Sequence, residues 1–228
     1  MIKIIVLLII MLLGCNKTHS QEPAFKAPDY ESIKKEIQDK ASKYYYPKLL
    51  NRMVANDSLL TKEDYAHLYF GYVFDPKYNV FYKSPDEEKL SEYYRSEKLD
   101  EKEYDKIIQL AEHSLSVYPF DLRPMNYLGY IYHLKGDKVE AKNVATRFNN
   151  ILGTILSSGN GLKCETGFHV ISVSDEYVLL NMLKLKRESQ SLVGNCDYMS
   201  FEKGKYKVDG IYFNIEKILE NEMKLFKK

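Results

Sequence analysis

Apolar residues between positions 104 and 156 recur three and four residues apart, the spacing of one helix face, and the rest of the chain is arranged around this stretch. Two breaks divide it. Residues 118–121 contain a proline, and Gly136-Asp137 combines a helix-ending glycine with a helix-capping side chain. We therefore predict three helices, of which the last two form a hairpin: Tyr104–Val117, Leu122–Lys135 and Lys138–Leu156.

Shorter amphipathic segments before this stretch predict further helices. Each predicted start carries a capping side chain or a proline at the first helical position. These starts are Asp29, Pro47, Thr61 with Asp64, Ser84 with Pro85, and Asp100. We therefore expect short antiparallel helices joined by brief turns from residue 29 to residue 156.

The hairpin resembles a tetratricopeptide repeat, a helix pair of about 34 residues with fixed small and aromatic positions. In a repeat that begins at Leu122, Leu128 and Gly129 fall on the Leu-Gly pair of that family. Tyr132 falls on the aromatic position, and Ala141 falls on the small residue of the second helix. The resemblance implies that the two helices approach closely at Gly129 and Ala141. The preceding helices match the repeat poorly, so a regular array is not expected.

The pattern changes after residue 156 and predicts a small α+β cap packed on the end of the helices. Gly159 is placed to end the preceding helix. The β-branched residues 168–173 predict a strand, and residues 175–185 predict a short helix. The last predicted elements are an antiparallel meander over 196–202, 206–209 and 211–213 and a final amphipathic helix capped by Asn214.

The N-terminus indicates export and lipidation. A basic start at Lys3 precedes ten consecutive apolar residues, 4–13, a run that is too short to span a bilayer and typical of a signal peptide. The run ends in Leu-Leu-Gly followed by Cys15, which resembles the lipobox of bacterial lipoproteins. That resemblance implies cleavage before Cys15 and lipid on its sulfur. The alternative is an ordinary signal peptide with a chance cysteine.

The residues after Cys15 indicate a destination. Asn16 rather than an aspartate follows the cysteine, which by resemblance to lipoprotein sorting rules favours the outer membrane. Residues 16–27 indicate a polar tether without the acidic run that accompanies surface export, so we expect the protein to face the periplasm. The expected organisation is mainly α: a signal peptide (1–14), a lipidated tether (15–28), a tetratricopeptide-like helical domain (29–156) and the α+β cap (157–228).

The charge balance and the absence of known motifs limit the kinds of partner that we expect. The chain of 228 residues carries 33 basic and 32 acidic side chains, so it lacks the basic surface that nucleic acid requires. No motif indicates a cofactor or a metal site. The expected partners are the membrane, through the lipid on Cys15, and an envelope protein or peptide.

The other two cysteines, Cys164 and Cys196, face an oxidising compartment after export. The two cysteines could form a disulfide or remain separate thiols, because their separation in sequence does not show whether they lie close together. Cys164 and His169 also allow a nucleophile and a base in the cap, although no third group that would orient the base is identifiable. A small envelope hydrolase or transferase with its site around His169 is therefore the enzymatic alternative.

Several segments carry a resemblance to a known family: residues 44–49, 63–72, 75–79, 119–123, 168–173, 194–198 and 210–214. Together they resemble a family of Bacteroidota lipoproteins known only as domain of unknown function 4919. The likeness covers roughly residues 28–219. It implies a lipidated envelope protein and supplies no catalytic residues.

One face of the first hairpin helix is the best candidate binding site. Its residues recur at three, four and three positions and so share a face opposite Met125: Arg123, Asn126, Tyr130 and His133. In tetratricopeptide-like proteins the corresponding face lines a groove that holds extended peptides, and Arg and Asn there can bind a peptide carboxylate or backbone. The alternative is an ordinary solvated helix face.

Two function classes follow. The favoured one is a non-enzymatic outer-membrane lipoprotein that binds an envelope protein or peptide through its helical surface. The other is the hydrolase or transferase described above. The 20 tyrosines also suit stacking on glycan rings, although most share helix faces with apolar residues and are expected in the core.

Overall fold

The structure is a computed structural model that describes residues 25–96 and 98–226. Within these residues the chain is mainly helical, with a small sheet near its C-terminal end, as the sequence predicts. The helices are α1 (Tyr30–Gln38), α2 (Tyr46–Val54), α3 (Lys62–Gly71), α4 (Glu87–Tyr94), α5 (Tyr104–Val117), α6 (Leu122–Lys135), α7 (Lys138–Leu156), α8 (Val173–Met182) and α9 (Glu216–Phe226). The strands are β1 (Phe168–His169), β2 (Arg187–Val193), β3 (Cys196–Phe201) and β4 (Gly210–Asn214).

Capping side chains set the starts of α1 and α3. Asp29 Oδ1 accepts a hydrogen bond from the backbone N–H of Ser32 (3.0 Å). Thr61 and Asp64 form the predicted capping box: Asp64 Oδ2 accepts from the Thr61 N–H (2.8 Å), and Thr61 Oγ1 accepts from the Asp64 N–H (3.2 Å). Each such cap typically contributes about 1 kcal/mol, because it satisfies a backbone donor that the helix leaves unpaired.

The predicted start at Ser84 is wrong. α4 begins at Glu87, with Asp86 at the capping position. The hydroxyls of Ser84 and Ser114 share a hydrogen bond (2.5 Å), so Ser84 is engaged with α5 instead. The Asp86 carboxylate likewise contacts His113 Nδ1 (2.6 Å) and does not cap the helix. Contacts with α5 therefore override the local helix-start signal.

The hairpin of α6 and α7 has the predicted bounds. Gly136 ends α6 with φ of 82°, a left-handed conformation that glycine adopts without steric cost. Asp137 Oδ1 then accepts from the Glu140 N–H (3.1 Å) and caps α7. Gly129 faces α7: a Cβ built on it would lie 3.5 Å from Val144 Cγ1. The space at Gly129 therefore accommodates a methyl group, and a larger side chain there would meet Val144.

The sheet has the order β1-β4-β3-β2. β2, β3 and β4 are antiparallel neighbours, whereas β1 pairs with β4 in parallel. A disulfide joins Cys164 to Cys196, with an S–S distance of 2.06 Å. It ties the turn before β1 to the start of β3, so the two cysteines are not separate thiols in this structure.

Two strand predictions in the cap are wrong. The strand predicted over 168–173 has only the two residues of β1, because Ser172 caps α8 by accepting from the Ser174 N–H (3.3 Å). Residues 206–209 form a loop, and the missing strand is β2, which the apolar pattern does not mark because most of its residues are exposed. β2 is therefore defined by its pairing with β3 rather than by its own pattern of apolar residues.

Gly159 does not end α7; Ser157 takes that position. A Cβ on Gly159 would lie 2.3 Å from the carbonyl oxygen of Gly167. The residue is therefore required where two backbone segments touch, rather than for a left-handed turn.

One hydrophobic core runs from the helices into the sheet, and it includes Leu68 of α3, Leu128 of α6 and Phe213 of β4. The Tyr69 hydroxyl donates to Asp175 Oδ2 (2.6 Å) and accepts from the Ile171 N–H (3.2 Å), which joins α3 to the start of α8. The cap is thus packed on the helices through both apolar and polar contacts. In the part of the chain that the structure describes, no helix is long and apolar enough to cross a membrane.

Candidate functional site

The predicted stripe on α6, consisting of Arg123, Asn126, Tyr130 and His133, is exposed along its whole length. Arg123 Nη1 donates to Glu87 Oε1 of α4 (3.1 Å). The other three side chains form no hydrogen bond with the described residues. An exposed ion pair of this kind contributes only about 0–1 kcal/mol, so a ligand can replace it at little cost. The stripe is therefore available for binding.

At Tyr130 the stripe meets a cleft of about 370 Å³ that is lined mainly by aromatic side chains. We call it the tyrosine cleft, and its lining residues are Tyr93, Tyr94, Ser96, Leu99, Tyr104, Tyr127, Tyr130 and Leu134. Ser96 and Leu99 lie between α4 and α5, and the other six side chains come from the end of α4, the start of α5 and the exposed edge of α6. Three helices thus converge on one aromatic surface.

The tyrosines of the cleft hold one another in place. The Tyr127 hydroxyl donates to the backbone oxygen of Tyr93 (3.1 Å), and the Tyr93 hydroxyl donates to Glu103 Oε2 (2.5 Å). The rings of Tyr94 and Tyr127 meet edge to face, with centroids 4.8 Å apart. Tyr127 and Tyr130 follow at 6.2 Å. Such pairing favours a fixed orientation of the rings before any ligand arrives.

Burial governs the electrostatics of the cleft. It raises the pKa of Tyr127 to about 12, and it raises the pKa of Tyr94 further. Both phenols are therefore neutral hydrogen-bonding groups at physiological pH. The Tyr94 hydroxyl is buried without any hydrogen-bond partner among the described residues, and an unpaired buried hydroxyl costs free energy.

This arrangement can bind an apolar or aromatic group while bonding to polar atoms beside it. The ring faces supply large apolar area, and their hydroxyls supply donors and acceptors. Leu134 and Tyr130 are 39% and 50% exposed, so apolar surface reaches solvent at the mouth of the cleft. The polar stripe continues from there along α6.

The corner around His169 has a different character. His169 is buried, with its ring centroid 6.0 Å from that of Tyr30 and 6.4 Å from that of Phe70. Its Nδ1 has no hydrogen-bond partner in the part of the chain that the structure describes, and burial lowers the pKa of His169 to about 4. Cys164 is bonded to Cys196. The nucleophile and base of the enzymatic alternative are therefore a disulfide sulfur and an enclosed imidazole.

Buried carboxyl groups at the start of α8 escaped the sequence prediction. Asp175 and Glu176 are fully buried, and neither oxygen of Glu176 accepts a hydrogen bond from a donor within residues 25–96 and 98–226. Burial, followed by the charges of Asp197 and Asp175, raises the pKa of Glu176 to about 9. No group of three or more His, Cys, Asp or Glu side chains within residues 25–96 and 98–226 is arranged to hold a metal ion. The raised pKa of Glu176 makes the stability of the fold depend on the protonation of this carboxyl group.

The sequence places the stripe on the surface but does not show the tyrosine cleft. Tyr93 and Tyr94 of α4 and Tyr104 of α5 meet Tyr127 of α6 only in the folded chain. A usable signal is the spacing of Tyr127, Tyr130 and Leu134 along the edge of α6. Cys15, the predicted lipidation site, lies outside the described residues.

Comparison with known proteins adds one finding. A family model described as Domain of unknown function (DUF4919) matches residues 31–224. No curated protein and no solved structure matches the chain. Since the description of the family assigns neither a reaction nor a ligand, function has to be argued from the surface itself.

Proposed function

Because the chain belongs to the DUF4919 family, a family of unknown function, we propose from its surface that it is a non-enzymatic binding protein of the bacterial envelope. Its partner is an extended peptide or an extended segment of an envelope protein. The observation that carries the proposal is the continuity of the α6 stripe with the tyrosine cleft, since Tyr130 belongs to both.

The dimensions suit an extended segment. From Arg123 to His133 the stripe rises about 15 Å along the axis of α6 at about 1.5 Å per residue. An extended chain covers that length with about four or five residues. Arg123 would bind a carboxylate or backbone oxygen, and an aromatic or aliphatic side chain would enter the tyrosine cleft. Tyr and Arg are the residue types that most often dominate binding energies at interfaces.

We place the protein at the outer membrane, facing the periplasm, with lipid on Cys15 as the anchor. Residues 16–27 then act as a tether of about 20 Å. The far end of the tether is fixed to the fold: the Lys26 N–H donates to the Ser157 oxygen at the end of α7 (2.9 Å). The binding surface would therefore stay close to the membrane.

We also propose that α6 and α7 act as one tetratricopeptide-like hairpin. The αL glycine Gly136 between the helices and the contact of Gly129 with Val144 support this assignment. The stripe would then correspond to the peptide-holding face of such a hairpin.

Crosslinking in the native membrane followed by pull-down would identify the partner. The test variant is the double substitution Arg123→Ala with Tyr130→Ala, which should keep the free energy of unfolding within about 0.5 kcal/mol because both positions are exposed. It should lose most of the captured partner. A matched control is Arg187→Ala with Tyr177→Ala, which removes the same residue types from the cap, where the guanidinium lies 5.2 Å from the ring.

Undiminished capture by the double variant, or equal loss in the control, would rule out the α6 surface as the binding site. A second candidate function is glycan binding, which the aromatic cleft favours because tyrosine rings stack on sugar rings. Binding of the purified protein to soluble envelope oligosaccharides, lost in the double variant, would select the glycan over the peptide.

A further inference from the structure

A second cleft lies on the other side of α6, between the end of α2 and helices α5, α6 and α7. Its volume is about 270 Å³. We call it the Arg147 cleft. Apolar side chains form part of its wall, among them Met53, Leu115, Leu128 and Val144. Its polar side chains are Asn56, Glu112, Ser116, Tyr132, Glu140 and Arg147.

Arg147 brings an unpaired positive charge to this cleft. It lies one turn after Val144 on α7 and is half-buried. Within the described residues its guanidinium forms no hydrogen bond and no ion pair, and its Nε is buried without a partner. Burial lowers the pKa of Arg147. A charged donor left in this state costs free energy that a bound oxygen would recover.

Asn56 supplies a group of the opposite kind. It follows α2 with φ of 56°, a left-handed conformation that asparagine tolerates better than most residues. Its Oδ1 is buried and has no donor among the described residues. The cleft thus contains an acceptor that receives no N–H and a cation that donates to no anion among the described residues, although Glu112 and Glu140 line the same cleft.

Two glutamates limit which anion fits. Glu112 Oε1 accepts the hydroxyl proton of Tyr132 (2.6 Å), and Glu140 Oε1 accepts from Asn143 Nδ2 (3.3 Å). Their charges repel a multiply charged anion such as phosphate, because each added negative charge is disfavoured beside a carboxylate. A single carboxylate meets less repulsion than phosphate, and an N–H group beside it adds a donor that a carboxylate can accept. The apolar wall then favours a hydrocarbon side chain on the same ligand.

We propose that the Arg147 cleft binds an α-amino or α-acylamino carboxylate with an apolar side chain, either a free amino acid or the C-terminal residue of a peptide. Arg147 binds the carboxylate, Asn56 Oδ1 accepts the N–H, and Leu115 and Leu128 contact the side chain. The volume of about 270 Å³ suits one residue, since it falls just below the roughly 300–1,000 Å³ of sites for drug-sized ligands. The site is separate from the tyrosine cleft and does not depend on the function proposed above.

Titration calorimetry on the full chain, purified in mild detergent, tests this. The probes are leucine, N-acetyl-leucine, N-acetyl-leucinamide and 4-methylpentanoate. N-acetyl-leucine should bind roughly tenfold or more tightly than N-acetyl-leucinamide, which lacks the carboxylate. The relative affinity of leucine and N-acetyl-leucine distinguishes the two sources of the ligand, because a site for peptide ends prefers the acylated form.

Arg147→Met should weaken the binding of N-acetyl-leucine roughly tenfold or more, whereas Arg95→Met, an exposed control at the end of α4, should leave it unchanged. Arg147→Lys keeps the charge but loses the paired N–H donors of arginine, so it should give an intermediate loss. Melting curves of the variants verify that they fold.

Asn56→Gly tests the acceptor. It removes Oδ1 and suits the positive φ, so the variant should fold at least as stably. It should reduce the preference for N-acetyl-leucine over 4-methylpentanoate, which lacks the N–H. Binding that Arg147→Met leaves intact, or no binding of either carboxylate at about 10 mM, would overturn the proposal.

Discussion

Replacing Glu176 by glutamine should remove a pH dependence from the stability of the fold. Glu176 is fully buried in α8, neither of its oxygens accepts a hydrogen bond from a donor among the described residues, and its carboxyl group lies close to those of Asp197 and Asp175. Burial is the largest cause that raises its pKa from 4.5 to about 9. The folded protein therefore holds this carboxyl group protonated at neutral pH, whereas the unfolded chain ionises it.

The direction and size of the effect follow from proton linkage. Because the folded pKa lies above the unfolded one, the stabilisation is complete below pH 4.5 and is lost as the pH rises towards 9. Between these values one proton is released on unfolding, so the free energy of unfolding falls by about 1.4 kcal/mol per pH unit. The contribution of Glu176 lost by pH 7 is about 3 kcal/mol.

Urea unfolding between about pH 7 and about pH 8.5 isolates this contribution. Burial lowers the pKa of His169 to about 4 and raises that of Asp121 to about 6, so both groups have largely finished titrating in the folded and unfolded states at these pH values. Burial also raises the pKa of Asp175, and this carboxyl group is present in both wild type and variant. Over this range wild type should lose about 2 kcal/mol more than Glu176→Gln.

The quantity to compare is the change in the free energy of unfolding with pH. The absolute free energies are less informative, because the buried amide of glutamine has its own desolvation cost. Glu188→Gln is the matched control, since it makes the same substitution at an exposed position on β2. Its slope should equal that of wild type. If Glu176→Gln and wild type lose stability in parallel over this range, Glu176 is ionised in the folded protein and the reasoning is wrong.

Three further predictions concern anchoring and packing. Cys15→Ala should abolish palmitate labelling and partitioning into detergent, and an unlabelled, soluble wild type would refute lipidation. Gly129→Leu should lower the free energy of unfolding by about 1–3 kcal/mol through overpacking against Val144. Gly129→Ala should be tolerated, because its Cβ would lie 3.5 Å from Val144 Cγ1. Equal melting temperatures for wild type and both variants would contradict this packing. Replacing Cys164 and Cys196 by serine should cost about 3–4 kcal/mol in urea unfolding, given their separation of 32 residues, and an unchanged midpoint would contradict a stabilising disulfide.

The helices that the sequence predicts best are those whose ends are set locally. Gly136 ends α6 by its own backbone freedom, and Asp137 caps α7 through a bond to a residue three positions away. Nothing distant is needed for either signal. Ser84 shows the opposite case, because its hydroxyl bonds to Ser114, which lies 30 residues further along the chain.

The cap was harder to predict because its elements depend on partners distant in sequence. β2 is mostly exposed and lacks apolar alternation, so its pairing with β3 is what makes it a strand. Gly159 is required by contact with Gly167, and Cys164 meets Cys196 only in the folded chain. In each case the sequence gives the residue type but does not identify the residue that it contacts in the fold.

Both candidate sites follow from the way α6 sits in the fold. Only one face of α6, which includes the buried Met125 and Leu128, packs in the core. The two edges that flank that face therefore remain outside the core. Tyr127 and Tyr130 on one edge line the tyrosine cleft, and Tyr132 on the other lines the Arg147 cleft. A change to the core face would disturb both clefts together. Substitutions confined to one edge, or to α7 at Arg147, are therefore the ones that separate loss of a ligand from loss of the helix.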